Sequence, residues 1–485
     1  MKNSKLVRIL STFTGKEFSE FEKVVVSPYF NKGRNYLPFL NQLKKFAPEY
    51  DSEKLTYEYI FSRLYPGKKF NKQFIWNMNS ALFNMAEEYL VQISLHENRF
   101  RRKSLIAEQF HHRKLPDFYD RELNQMEKLL EGHGIGEDYF LHKISLSIGR
   151  AAYYFLEDKQ SLLSGHISEK GDYAIMYFLN KLSSVIADMN ANSLMFNARF
   201  EPNIPKEFLD NFRIEKVLEY AKVKKFRYAW VMEMYYCLIM INLDLGNTGH
   251  FFRLKELFEE NYDKFTEEEK ISWIVSLTNF CSQNTTGGVE FKKTLFEINK
   301  FQLREGIGIS KRKMPKILFI QILRNALAID ETEWVKNYIE EYVPKLRHSY
   351  QGSMHAFGMA YLNLKLKNFD LVIKNLVNVR FIDDRDKLLS KSLYVRAYYE
   401  LNETDVLLSQ IDSALHFVNN TPTIRKSTSD SYRKSLNILK RLVTVRDNGD
   451  SSAVSAIRRY VDENEDLLFR GWFIEKIEEI KKGAK

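Results

Sequence analysis

Two glycine-rich runs are the first places in this chain where residue types and spacing bear on chemistry. Gly132-His133-Gly134-Ile135-Gly136 resembles a fragment of a nucleotide-binding fingerprint. Gly306-Ile307-Gly308-Ile309-Ser310-Lys311 has the glycines, serine and lysine of a phosphate loop. Neither has the required order. A dinucleotide loop follows a strand and spaces its glycines G-x-G-x-x-G, so that backbone N–H groups reach the pyrophosphate. The first run instead follows the helical stretch Arg121–Leu130 and lacks the third glycine. The second departs from the phosphate-loop order. Both read as loops between helices. The 10 histidines are scattered, and the one adjacent pair, His111-His112, cannot share a helix face. Leu95-His96-Glu97-Asn98 opens like a zinc-protease motif but has no second histidine. No serine sits in a G-x-S-x-G elbow. The acidic runs Glu259-Glu260 and Glu267-Glu268-Glu269 read as solvated faces or first-turn charges favoured by the helix dipole. The expectation is a protein that is not an enzyme, with no catalytic residue, no cofactor and no metal site.

Cys237 and Cys281 stand in apolar surroundings without flanking histidines, so each reads as a small buried hydrophobe in a reducing compartment. The first residues, MKNSKLVRILSTFTGKEF, hold no apolar core of signal-peptide length. The most apolar stretch, 229–245, is interrupted by Glu233, Asn242 and Asp244 and is too short to span a bilayer. A cytoplasmic protein with no membrane partner is expected. The net charge of +10 is unevenly placed. Residues 1–115 carry 20 Lys/Arg against 11 Asp/Glu, leaving 53 against 52 in residues 116–485. Charge therefore separates an N-terminal part from the rest.

Few glycines and prolines, 20 and 10 in 485 residues, leave little punctuation for a sheet protein. The pattern is helical almost throughout. Phe18, Phe21, Val24 and Val25 form a short stripe ended by Ser27-Pro28. Leu37, Leu40, Leu43 and Phe46 recur at three-residue steps up to Pro48, and Leu55, Tyr59 and Leu64 precede Tyr65-Pro66-Gly67. Phe74, Met78, Leu82, Met85, Tyr89 and Ile93 then mark one face of a long helix, with Asn71 placed to cap it. The SPYFNKGRN stretch, the LYPGKKFN turn and the NSALFNMAEEYL helix of this region resemble a bacterial helical module to which no activity attaches.

Beyond it, helices are expected across 117–203, with Pro202 and Pro205 marking a joint. Paired segments follow: Ile214–Leu245 with Phe251–Phe265, then Ile271–Cys281 with Phe291–Leu303, then the basic loop Lys311-Arg312-Lys313 before Ile317–Ala328. Between 315 and 420 a repeat emerges. Leu327, Leu362 and Ala397 are 35 residues apart, as are Tyr338, Ile373 and Leu408, and the pairs Trp334–Phe369 and Leu366–Leu401. Ala360–Leu376 and Arg396–Leu415 resemble tetratricopeptide units, whose period is about 34 residues. The tryptophan and glycine of that family's first helix are absent, and Lys391 falls where an apolar residue belongs. The expected fold is all-α: a right-handed α-α superhelix of tetratricopeptide-like pairs over 206–485, a helical connecting region over 116–205, and a smaller basic helical domain over 1–115.

Two functions from different classes fit this plan. In the first, the chain is a scaffold whose inner helices, about Met354–Leu366 and Leu389–Leu401, hold a protein or peptide. The resemblance then makes Tyr361, Lys365, Arg396 and Tyr399 groove residues. In the alternative, the basic N-terminal region binds nucleic acid and the repeats serve as sensor or oligomerisation domain. Arg99, Arg102 and Lys103 fall on one helix face, followed by Arg113 and Lys114, and such a face could lie along phosphates.

Overall fold

The structure is a computed structural model that describes every residue except 197, 245, 247, 285–287, 310–312, 381–382, 425, 449–450, 465 and 484–485. Lys311 and Arg312 of the expected basic loop thus lie outside the described residues. The described residues form helices joined by short turns, with no β-strand among them. No helix among them is long and apolar enough to cross a membrane. By contacts the chain divides into two units, Met1–Phe178 and Leu179–Lys485. The division falls inside the helix Gln160–Phe196, whereas the sequence suggested boundaries at 115 and 205.

In the first unit, the helix Lys72–Glu97 is the spine of an N-terminal core. The Asn71 side chain caps it, accepting the Phe74 N–H at 2.9 Å. Met78, Leu82, Met85 and Tyr89 are buried against Leu6, Phe21, Phe39, Leu40 and Phe61 from the shorter helices before it. One of these, Gly15–Val26, begins with a reciprocal cap between Thr14 and Glu17. The following helices Arg99–His112, Pro116–Glu131 and Tyr139–Leu156 close a second core around Phe100, Leu123, Met126 and Leu146. GHGIG lies in the loop between the last two, where Ile135 is buried.

From Ile214 on, the second unit is a succession of helices in which each packs on the next. From Lys316 the order is Lys316–Leu327 and Thr332–Tyr342, His348–Lys365 and Phe369–Leu376, Asp384–Glu400 and Thr404–Asn420, Lys426–Asn448 and Ser451–Glu463, then Arg470–Gly483. The first helices of successive pairs also touch one another from Lys316 to Glu400. Leu327, Leu362 and Ala397, aligned by the period, are all buried near the ends of these first helices.

One turn recurs. At 110–115, 154–159, 221–226, 326–331, 363–368 and 398–403, the last N–H bonds the carbonyl five residues back. The residue before last takes a positive φ in each: Lys114, Asp158, Lys225, Asp330, Lys367 and Asn402. This is the Schellman helix end, which satisfies carbonyls that the helix leaves open. Glycine usually fills that left-handed position, and here it does so at Gly306, in the same turn over 302–307. The Lys225 turn also corrects one expectation. The span from Ile214 is not one helix but two, Ile214–Val223 and Ala229–Leu243, because a lysine rather than a glycine makes the break.

Candidate functional site

The first helices of the last pairs line a groove with a volume of about 1340 Å³. Counting from the start of each turn, at 326, 363 and 398, gives Arg324, Tyr361 and Arg396 one common position, two residues earlier. Ala328, Lys365 and Glu400 share the position two residues later, and all six line the groove. Its far side is built by later segments: Tyr432 from Lys426–Asn448, Leu468 and Phe469 before Arg470–Gly483, and Trp472 within that helix. Leu364, Leu388 and Leu389 add apolar surface.

Three of the four groove residues expected from sequence therefore come together here: Tyr361, Lys365 and Arg396. Tyr399 does not. It is buried, with the Trp472 ring 5.1 Å away edge-on and the Arg446 guanidinium 4.7 Å from its ring centre. Burial pushes its phenol up to about 12. Tyr399 lies about 60° around the helix from Arg396, on the side opposite Glu400, and there the C-terminal helices cover it through Trp472 and Arg446.

The groove's carboxylates are occupied. Asp330 pairs with Lys365 at 2.5 Å and Glu475 with Lys367 at 3.1 Å. Asp383 takes Lys316 at 2.7 Å, and Lys316 also holds the buried Asp386 at 2.8 Å. Asp384 accepts the Thr423 hydroxyl at 2.8 Å and lies 3.8 Å from Lys387. Glu400 accepts the Trp472 indole N–H at 2.7 Å and Lys476 at 2.9 Å. By contrast Arg324, Arg385 and Arg396 have no ion pair among the described residues.

Arg396 is the least solvated of these three. Its guanidinium lies 4.7 Å from the centre of the Phe469 ring, and its Nε donates only to the Ser392 carbonyl at 3.2 Å. Burial holds the group below the usual arginine range, and the like charge of Arg324 pushes it the same way, against the opposing influence of Tyr361, Tyr432 and Glu400. The nearby Tyr432 is buried and its phenol is raised above the usual tyrosine range by desolvation. Chemically, the groove offers a cation over an aromatic ring, apolar walls and a shortage of free anions.

The basic face expected in the first unit is partly used up. Arg99 and Arg102 are exposed on the helix Arg99–His112. Lys103 is tied to the buried Glu122 at 2.8 Å, and Arg121 holds the other oxygen of the same carboxylate at 3.1 Å. Arg113 folds back on the Gln109 carbonyl at 3.1 Å, and Lys114, exposed, is the left-handed residue of the next turn. Of the glycine runs, the Gly308 N–H donates to Glu267 Oε1 at 2.7 Å. A carboxylate thus holds the position a phosphate would need. Cys237 and Cys281 are free and buried, and burial pushes both thiols up to about 12. No group of three or more His, Cys, Asp or Glu among the described residues could hold a metal ion.

Arg324, Tyr432, Phe469 and Trp472 were missed from sequence. Arg324 matches Tyr361 and Arg396 only once the turns are known, since it lies two residues before the start of a turn but 37 residues from Tyr361, outside the 35-residue period. Tyr432, Phe469 and Trp472 lie beyond the 35-residue periodicity and had no signal. Comparisons with family models, with curated proteins and with solved structures find no match to this chain.

Proposed function

We propose that the chain is a non-enzymatic helical-repeat scaffold, tetratricopeptide-like in its second unit, whose groove between Arg324 and Glu475 holds a segment of a partner protein. The observation that carries this reading is the row of equivalent side chains, Arg324, Tyr361 and Arg396, set along one groove by the first helices of three successive pairs. Such faces hold extended peptides or partner helices through a few anchors among apolar contacts. Aromatic and arginine side chains, which supply most binding energy in protein interfaces, are concentrated there.

The test is affinity capture from nuclease-treated host lysate, comparing the full chain with Tyr361→Glu/Leu389→Glu. Both positions line the groove, and Leu389 is only partly buried. Proteins held by the wild type and lost from the variant, with helical circular dichroism unchanged, support the reading. Equal retention by the two proteins sinks it.

A further inference from the structure

The electrostatics of the groove narrow the choice of ligand. Every carboxylate in its lining already meets a lysine or a hydrogen-bond donor, while Arg324 and Arg396 form no ion pair among the described residues, although the charge of Glu400 acts on Arg396. They act on one another as like charges. A buried charge without a partner is costly, and proteins ordinarily pair it or leave it in water. Arg396 does neither fully: it is half-buried, laid on Phe469, with one backbone carbonyl as its acceptor. Its five N–H donors form a fork that suits a planar oxyanion.

We propose that Arg396, assisted by Arg324, is the anion subsite of the groove and takes the carboxylate of an acidic side chain in an extended peptide, with apolar peptide residues on either side seated on Leu388, Leu389, Phe469 and Trp472. This rests on the scaffold reading above. The size and lining of the groove favour a peptide over a small free anion. Its volume of about 1340 Å³ exceeds the roughly 300–1,000 Å³ typical of small-molecule pockets. Leucine and aromatic surface flanks the arginines, which a bare phosphate would leave uncovered. A carboxylate entering here gains a charge-assisted bond of the kind that Asp330, Glu400 and Glu475 already have with their own partners.

The experiment is selection of a phage-displayed library of random 12-residue peptides on the full chain. Calorimetry then follows with the strongest selected peptide, its Asp→Asn or Glu→Gln counterpart, and sodium phosphate. Selected peptides should share an acidic residue flanked by apolar ones, and amidation should weaken binding by about tenfold or more. Arg396→Gln should lose the same factor and bind the acidic and amide peptides equally, while Arg396→Lys should recover part of it. Circular dichroism and urea unfolding establish that both variants fold. Selected peptides without an acid, or with undiminished affinity for folded Arg396→Gln, would overturn the anion subsite and leave the groove reading standing. Phosphate binding as tightly as the peptide would replace the peptide with a free anion and overturn the proposal. If the wild type selects no peptide at all, the subsite and the groove reading fall together.

Discussion

Arg150 and Arg396 are both arginines withdrawn from water, one in each unit, and their surroundings are opposite. Arg150 donates to Asp120 at 2.7 Å, to Asn124 at 2.6 Å and to Glu127 at 2.8 Å. Its side chain is 9% exposed and its charge is answered from three positions on one neighbouring helix. Arg396 has an aromatic ring, a backbone carbonyl and a second arginine. The first arrangement is complete within the chain and holds helices together. The second has no ion pair among the described residues, and the acidic peptide proposed above would supply one. A protein retains an uncompensated charge at a cost in stability, and such costs concentrate where binding needs them.

That contrast predicts a graded series of losses when each cation is replaced by an uncharged side chain, read by urea unfolding. The largest belongs to Lys316, because Lys316→Met removes its ion pairs with both Asp383 and the buried Asp386. A loss of about 3–5 kcal/mol is expected. Acid should shrink the gap between the two proteins. Burial tends to raise the Asp383 carboxyl, but the hydrogen bonds from Lys316 and from the Asp386 N–H outweigh it and hold its pKa below the usual aspartate value. Its contribution is therefore present above about pH 4 and is lost as pH falls through the depressed folded-state value. A gap that stays constant from pH 7 to pH 3 would remove this pair from the account.

Arg150→Met should cost about 2–3 kcal/mol, less than Lys316→Met because Asp120 and Glu127 keep access to water. Lys103→Met should cost only about 1 kcal/mol, since Arg121 remains on the buried Glu122. Arg396→Met closes the series. Its stability should stay within about 1 kcal/mol of the wild type, because no carboxylate is left unpaired and a desolvated charge is removed. A loss as large as that of Arg150→Met would erase the comparison and make Arg396 a structural residue.

How much of this was legible depended on whether a feature left a local mark. The Lys72–Glu97 helix was readable from its Asn71 cap and from the apolar face Met78 to Ile93, although Phe74 is exposed and Ile75 takes the buried place at its start. The equivalence of Leu362 and Ala397 was readable because buried positions in equivalent helices tolerate few residue types, whereas Leu327 is buried but falls two residues out of register when counted from the turns that begin at 326, 363 and 398. The recurrent turns were not readable. Glycine advertises a left-handed residue, but Lys225, Asp330, Lys367 and Asn402 take that conformation without announcing it. Tyr399 was misplaced for another cause: the end of its helix was read to within one residue, but Trp472 and Arg446, which bury it, come from helices far away in sequence. The far wall of the groove was hidden by distance in sequence. Phe469 meets Arg396 only after the chain has passed through Lys426–Asn448 and Ser451–Glu463, whose lengths break the 35-residue period.

The recurrent turn also bears on how the chain comes to fold. Its closing hydrogen bond spans only six residues, and the two helices it joins become neighbours without help from any distant segment. A nascent chain leaving the ribosome can therefore complete one hairpin of helices before the next has been synthesised, docking each on the pair already formed. The contacts made by the Arg470–Gly483 helix, among them Glu400 with Trp472 and Lys476 and Lys367 with Glu475, have to wait until that helix has been synthesised. The groove is thus finished after the helix pairs that line it, and a ribosome stalled before residue 470 would display the Arg324–Tyr361–Arg396 row without Trp472 and the helix that carries it.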